Sequence, residues 1–244
     1  MSLTIGKTVG DIVAEDYRTA AVFESFGIDF CCQGNKTINE VCENKGIYKS
    51  LLLLDLETVL RSQDNKLTDY NAWPINLLAD YIEKRHHKYI EEKTPILKQY
   101  LEKICIVHGH KHSELFQIKD LFNQSAGELA THMKKEELML FPFVRKMIHA
   151  KEKNLRVENP NFGTIQNPIQ MMMHEHNAEG EIFRKIDALS GNYNPPVDAC
   201  NTYKVTFALL KEFETDLHLH IHLENNILFP KAIELEKNLF PKSV

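Results

Sequence analysis

The chain carries one ligand-bearing phrase twice. His132-x-x-x-Glu136 runs into Leu140-Phe141-Pro142, and 88 positions later His220-x-x-x-Glu224 runs into Leu228-Phe229-Pro230. A spacing of four sets an imidazole and a carboxylate on one face of an α-helix, one turn apart, where both reach a single centre. Two such helices offer two His and two Glu to a shared interior, as the helices of di-iron and di-manganese carboxylate bundles do. Solvated His-Glu pairs would show the same spacing, but the phase is against them. Leu129, His132, Met133, Glu136, Met139, Leu140, Phe143 and Met147 follow one apolar stripe, and Phe213, Leu217, His220, Glu224, Ile227 and Leu228 follow another. An unpaired carboxylate in such a face is costly, so metal coordination is the simplest account of both pairs.

Further ligands should come from the helices facing these two. Ile169, Met172, Met173, His176, Gly180, Phe183 and Ile186 share a stripe that turns His176 inward and leaves His174 to solvent. His218 and His222 form another i, i+4 pair, but on a face with Glu214 and Asn225, and register with the first copy selects His220 and Glu224. On the first helix the stripe of Ile75, Leu78, Ile82, Tyr89, Leu97 and Ile104 centres on His86, with His87 about a quarter turn away. Periodicity alone selects His86, and a His in this place could also be a satisfied core residue. Four imidazoles with two carboxylates suit iron or manganese better than the all-oxygen sites of calcium and magnesium or the closed, cysteine-bearing sites of structural zinc. If both Glu bridge two six-coordinate ions, protein atoms fill about eight of twelve positions, an oxo or hydroxo bridge adds two, and roughly two stay open to a small molecule. His108, His110 and His112 read as a solvated connection. Met133, Met139, Met147 and Met171 to Met173 read as gap-filling core.

These residues need long helices to hold them. The apolar period is helical almost throughout, with four stretches at about 75–107, 115–150, 168–190 and 201–239, separated by Gly, Pro and Asn-rich breaks. Four helices with short connections predict an up-down-up-down bundle. Ahead of it, residues 1–64 read as a small domain of short helices at about 9–14, 18–26, 38–45 and 51–64, with a turn-rich joint at 27–35 that holds Cys31 and Cys32. The polar stretch Gln63 to Trp73, ending at Pro74, reads as a linker, which assigns 65–244 to the bundle. At 244 residues the chain can bury a substantial core, and its net charge of −5 with mixed signs gives no basic footprint for nucleic acid. The longest aliphatic run, Leu51 to Leu54, is too short for a membrane span. Asp11, Glu15 and Asp16 interrupt the amino terminus before any signal-like apolar core, so a cytoplasmic location is expected. Five cysteines, odd in number and without framework spacing, fit reduced thiols.

At these residues the chain resembles the hemerythrin-like di-iron proteins, and among them the iron-sulfur cluster repair (RIC, ScdA/YtfE) family. The resemblance covers nearly the whole chain. It rests on Arg18-x-Ala20-x-x-Phe23-x-x-x-x-Ile28-Asp29-Phe30-Cys31-Cys32-x-Gly34, on His220-x-x-x-Glu224-Asn225-Asn226-x-Leu228-Phe229-Pro230, and on Val107-His108-Gly109. It implies an all-α, hemerythrin-like bundle behind a small cysteine-bearing helical domain. It also implies six iron ligands, His87, His132, Glu136, His176, His220 and Glu224. The first-helix position is the His eight residues before Pro95, which is His87, so the resemblance and the periodicity disagree there. A kink or rotation near Pro95 would reconcile them. Oxygen-carrying hemerythrins use an HxxxH and an HxxxxD pair, which the core positions here lack.

The resemblance implies an oxo- or hydroxo-bridged pair of iron ions and a role in repairing iron-sulfur clusters damaged by nitric oxide or oxidants. Glu136 and Glu224 would bridge the ions. Iron delivery, or binding of nitric oxide or dioxygen at open positions, would do the work. Damaged iron-sulfur proteins would be the clients. Cys31 and Cys32 would act as a redox or metal-handling pair, unless they are merely a buried pair. Reduction of nitric oxide is compatible with the resemblance but is not read from the residues, and a homodimer is left open. The rival reading is a sensor that only reports bound oxygen or nitric oxide, for which no output domain is visible.

Overall fold

The computed structural model describes residues 6–61, 68–158 and 160–240. Four short helices come first: α1 (Val9–Glu15), α2 (Thr19–Ser25), α3 (Ile38–Lys45) and α4 (Lys49–Arg61). Thr8 with Asp11 and Thr37 with Glu40 form capping boxes, in which each partner satisfies an orphan amide of the other, so α1 and α3 start where they do. Residues 62–67, which hold the expected end of α4, the start of the linker and the boundary at 64/65, lie outside the described residues.

Four long helices follow. α5 comprises Ile75–Tyr81, a π-helical segment Ile82–His87, and Lys88–His108. α6 comprises Glu114–Lys135, a π segment Glu136–Leu140, and Phe141–Lys153. α7 is Gln166–Leu189. α8 comprises Asn201–Leu223, a π segment Glu224–Leu228, and Phe229–Leu239. α5 packs against α6 and α8, and α6 packs against α7. Among the described residues the β-type pairing is a single bridge, Thr8 with Thr37, and no helix is long and apolar enough to cross a membrane.

The π segments of α6 and α8 have a cause in the repeated phrase. Pro142 and Pro230 lack an N–H and would clash with the carbonyl four residues back, at Leu138 and Asn226. A wider turn relieves this, and the amides of Phe141 and Phe229 pair five residues back with Glu136 and Glu224.

The long helices bury two apolar clusters. One joins Phe122, Phe183, Phe207 and Phe213 of the bundle with Phe23, Leu52 and Leu56 of the short helices and Phe30 of the loop between α2 and α3. The other gathers Leu78, Ile82, Phe141, Met147, Phe229 and Leu235. Along α5, α6 and α8 the first cluster gives way to the second at His86–His87, Glu136 and Glu224. The short helices dock closely on that junction, where a Cβ on Gly10 would lie 2.5 Å from Asn226 Oδ1. Of the methionines expected in the core, Met133, Met147 and Met172 are there, but Met139 is half-buried and Met171 and Met173 are exposed. Three successive helical residues cannot all face one way.

Candidate metal centre

Between the two apolar clusters lies a knot of buried polar side chains. His87, Glu136, His220 and Glu224 form one group and His132, Glu136, His176 and Glu224 another, and within each group the ligand atoms all lie within 4.8 Å of one another. Both carboxylates belong to both groups. Nitrogen-to-oxygen separations are 3.3 Å for His87–Glu136, 3.4 Å for His132–Glu136, and 3.2 Å for both His176–Glu224 and His220–Glu224. His132 Nε2 and His176 Nε2 face each other at 3.0 Å. Ligands about 2.1 Å from a common ion and at right angles lie about 3 Å apart, so these spacings match a coordination shell.

The unsatisfied atoms make the stronger test. Both oxygens of Glu136 and of Glu224, with Nε2 of His87 and of His220, are buried and make no hydrogen bond, because they converge on shared points rather than on each other. Orphans of this kind are costly, and a group of them needs an explanation. Both carboxylates nonetheless stay ionised. Burial would raise Glu224, but His220 and His176 outweigh it and hold its pKa well below the ordinary range. Burial and Glu224 both push Glu136 up, and His132 and His87 overcome them. Burial depresses His220, whereas at His87 and His132 burial is outweighed by Glu136 and the pKa rises, so a cation entering the centre would displace a proton from those two rings. Two anionic carboxylates among four imidazoles, closed to water, fit cations.

Each π segment turns two consecutive polar side chains inward. One reaches the centre, and in α6 and α8 the other holds a neighbouring His. Glu136 is followed by Glu137, whose Oε1 lies 3.0 Å from His87 Nδ1. Glu224 is followed by Asn225, whose Oδ1 accepts from His176 Nδ1 at 2.9 Å. His87 is preceded by His86, whose Nδ1 lies 3.0 Å from Asp216 Oδ2. Glu175, one residue before His176, accepts from His132 Nδ1 at 2.7 Å and also binds Lys135. Such partners fix a ring's tautomer and tilt. The sequence reading gave Glu137, Glu175, Asn225 and Asp216 no part in the site. Their signal was adjacency, since three of the four sit beside a ligand candidate.

The structure brings together all six residues that the resemblance names, and in α5 it places His87 rather than His86 in the groups. The extra residue of Ile82–His87 advances the register, so the stripe that reaches Ile82 resumes five residues on, at His87. This change of register is at the π segment, whereas Pro95 lies within the continuous α-helical stretch Lys88–His108. His86 is buried but stands outside both groups. His218 and His222 face Glu24 and Asn226 respectively, and His174 is exposed. His112 is tied to Glu114 and Asp198, and His108 packs on Tyr203, so that connection is more structured than a solvated loop.

Cys31 and Cys32 lie against the same centre. Cys31 is buried, Cys32 half-buried, and their sulfurs are 3.5 Å apart. Cys32 Sγ donates to the carbonyl of His176 at 3.2 Å, and Asn225 Nδ2 donates to the carbonyl of Cys31 at 3.1 Å. Gly180 packs close to this pair: a Cβ there would lie 3.2 Å from Cys32 Sγ.

Two sequence families match. A domain of unknown function (DUF542), the ScdA amino-terminal domain, matches residues 5–60, and the hemerythrin HHE cation-binding domain matches residues 78–232. Full-length relatives agree. The iron-sulfur cluster repair protein ScdA of Staphylococcus haemolyticus is 31% identical over 236 residues, covering 94% of this chain and 99% of the relative. The repair protein YtfE of Musicola paradisiaca is 32% identical over 233 residues, covering 94% and 97%, and that of Pectobacterium carotovorum 32% over 234 residues, covering 94% and 98%. With both halves matched in order and 94% of its length covered, the chain belongs to the ScdA/YtfE family of iron-sulfur cluster repair proteins.

Proposed function

We propose that the bundle holds two iron ions, one between His87 and His220 and the other between His132 and His176, with Glu136 and Glu224 shared by both. The observation that carries this is the pair of four-residue groups with both carboxylates in common and every carboxylate oxygen orphaned. When bound, iron supplies exchangeable positions for a small ligand such as nitric oxide or dioxygen. The protein's part is to keep both carboxylates ionised, to aim the imidazoles through Glu137, Glu175 and Asn225, and to exclude water with Phe141 and Phe229, whose rings stack on His87 and His176. On this reading the protein works in the cytoplasm on iron-sulfur proteins damaged by nitrosative or oxidative stress, giving up iron or drawing off nitric oxide.

The test is protein purified without oxygen, assayed for iron and for recovery of a nitric oxide-damaged cluster enzyme such as aconitase. About two irons per chain and recovery faster than free iron alone are expected. A chain that binds iron but restores nothing beyond free iron is a sensor or a store, and the repair reading fails.

A further inference from the structure

Outside the bundle centre, one other group of side chains among the described residues is arranged like a coordination shell. Asp29, Cys31 and Cys32 bring one ligand atom each within 4.8 Å of one another. Two thiolates about 2.3 Å from one tetrahedral ion lie about 3.8 Å apart. The two sulfurs here are 3.5 Å apart, which a small rotation adjusts. The backbone holds this arrangement. Asp29 Oδ1 accepts the amides of Cys31 at 3.1 Å and Cys32 at 2.8 Å, which curls the loop so that both sulfurs turn to one side. From beneath, Asn225 and Asn226 donate to the carbonyls of Cys31 and Phe30, each at 3.1 Å.

Charge and access agree with this arrangement. Two thiolates and a carboxylate carry three negative charges. A divalent ion leaves one, which Arg184 Nη1, 2.8 Å from Asp29 Oδ2 and shared with Glu181, offsets in part from the exposed side. A cavity of about 340 Å³ reaches Cys31 from the surface, and Glu24, Asp187 and Glu214 line it with Arg184 and Lys211. Acidic side chains outnumber basic ones there, which draws cations inward. Two soft thiolates with one hard oxygen select borderline transition metals over calcium or magnesium.

We propose that Asp29, Cys31 and Cys32 bind a single divalent transition-metal ion, ferrous iron during repair, with a fourth position open for exchange. Binding displaces both thiol protons and forms two metal–sulfur bonds and one metal–oxygen bond. The ion then sits beside the backbone of His176, since Cys32 Sγ already touches that carbonyl, and so lies between the bundle centre and the cavity mouth. The binding site stands independently of the repair reading. Only its use as a staging post for iron rests on that reading.

Cobalt(II), added without oxygen to the full-length, iron-loaded protein, tests the site. One further equivalent should bind with sulfur-to-cobalt charge-transfer absorption and release of about two protons, while bundle iron is retained. Cys31→Ser and Cys32→Ser should each abolish that absorption, and Asp29→Asn should weaken binding at least about tenfold. Cys200→Ser, at an exposed thiol, should change nothing. Iron content of each variant reports whether the bundle is intact. Cobalt uptake without charge transfer, or charge transfer that survives Cys32→Ser in a variant with full iron, overturns the proposal. If aconitase recovery persists while cobalt fails to bind, this inference alone falls. Cobalt binding without recovery removes the repair reading alone.

Discussion

The imidazole of His86 lies parallel to that of His220, with ring centroids 5.7 Å apart and planes 12° apart, so that His86 backs a residue of the centre without belonging to it. The neighbouring histidines of α5 therefore have different jobs. His87→Ala removes a nitrogen aimed at Glu136, and it should cost the ion between His87 and His220 and change the iron spectrum. His86→Ala should retain about two irons and lose stability by about 1–3 kcal/mol, from a cavity and an unpaired Asp216. Iron analysis with Mössbauer spectra separates the two, and equal iron loss in both variants would contradict the assignment.

Because Glu136 and Glu224 each belong to both ligand groups, Glu136→Ala or Glu224→Ala should disturb both ions at once. Loss of one iron beside an unchanged signal from the other would argue against shared carboxylates. Melting temperatures of the loaded proteins should fall as well, since an ion bound only by the folded chain stabilises it.

Asn225 joins the Cys31 carbonyl to His176 Nδ1. Asn225→Ala should lower iron affinity about tenfold by freeing the His176 ring. It should also speed alkylation of Cys32 by loosening the loop. A variant with weaker iron but unchanged thiol reactivity would mean that the amide serves the bundle alone.

Glu179 gives a pH signature. It is 3% exposed, Ser125 Oγ donates to its Oε2 at 2.6 Å, and its other oxygen has no partner. Burial raises its pKa to about 7 despite the Ser125 hydrogen bond. The folded chain thus keeps a proton that the unfolded chain releases near pH 4.3, and stability falls as pH rises between those values. Glu179→Gln should match wild type near pH 4 and exceed it by up to about 3–4 kcal/mol at pH 8. Denaturant melts at both pH values check this, and a gap that does not widen with pH would refute it.

Much of the architecture was legible in the sequence, because α5 to α8 carry long 3.6-residue stripes between Gly and Pro breaks. The placement of His132, Glu136, His176, His220 and Glu224 was legible for the same reason, since each lies on a stripe that stays in phase up to it. His87 was not, because its phase changes inside Ile82–His87, and a stripe counted at a fixed period across an extra residue lands one position short. Glu137 and Asn225 escaped by the same rule, which sends the neighbour of an inward residue outward. The Asp29 group escaped because it is built in a loop, where no period applies, and its sulfurs meet the bundle only through tertiary contact.

The prolines of the repeated phrase have a consequence for how the proposed iron site would empty and refill. Helix widening at Glu136 and Glu224 is favoured by the covalent chain through Pro142 and Pro230, so the part of the socket wall that α6 and α8 supply is set before any ion arrives. A container whose shape is independent of its contents can release a charge of iron without rewinding its walls, and can accept the next at the same place. Replacing either proline by alanine would let that wall close into ordinary helix, turning a reusable vessel into one that must be rebuilt around each load.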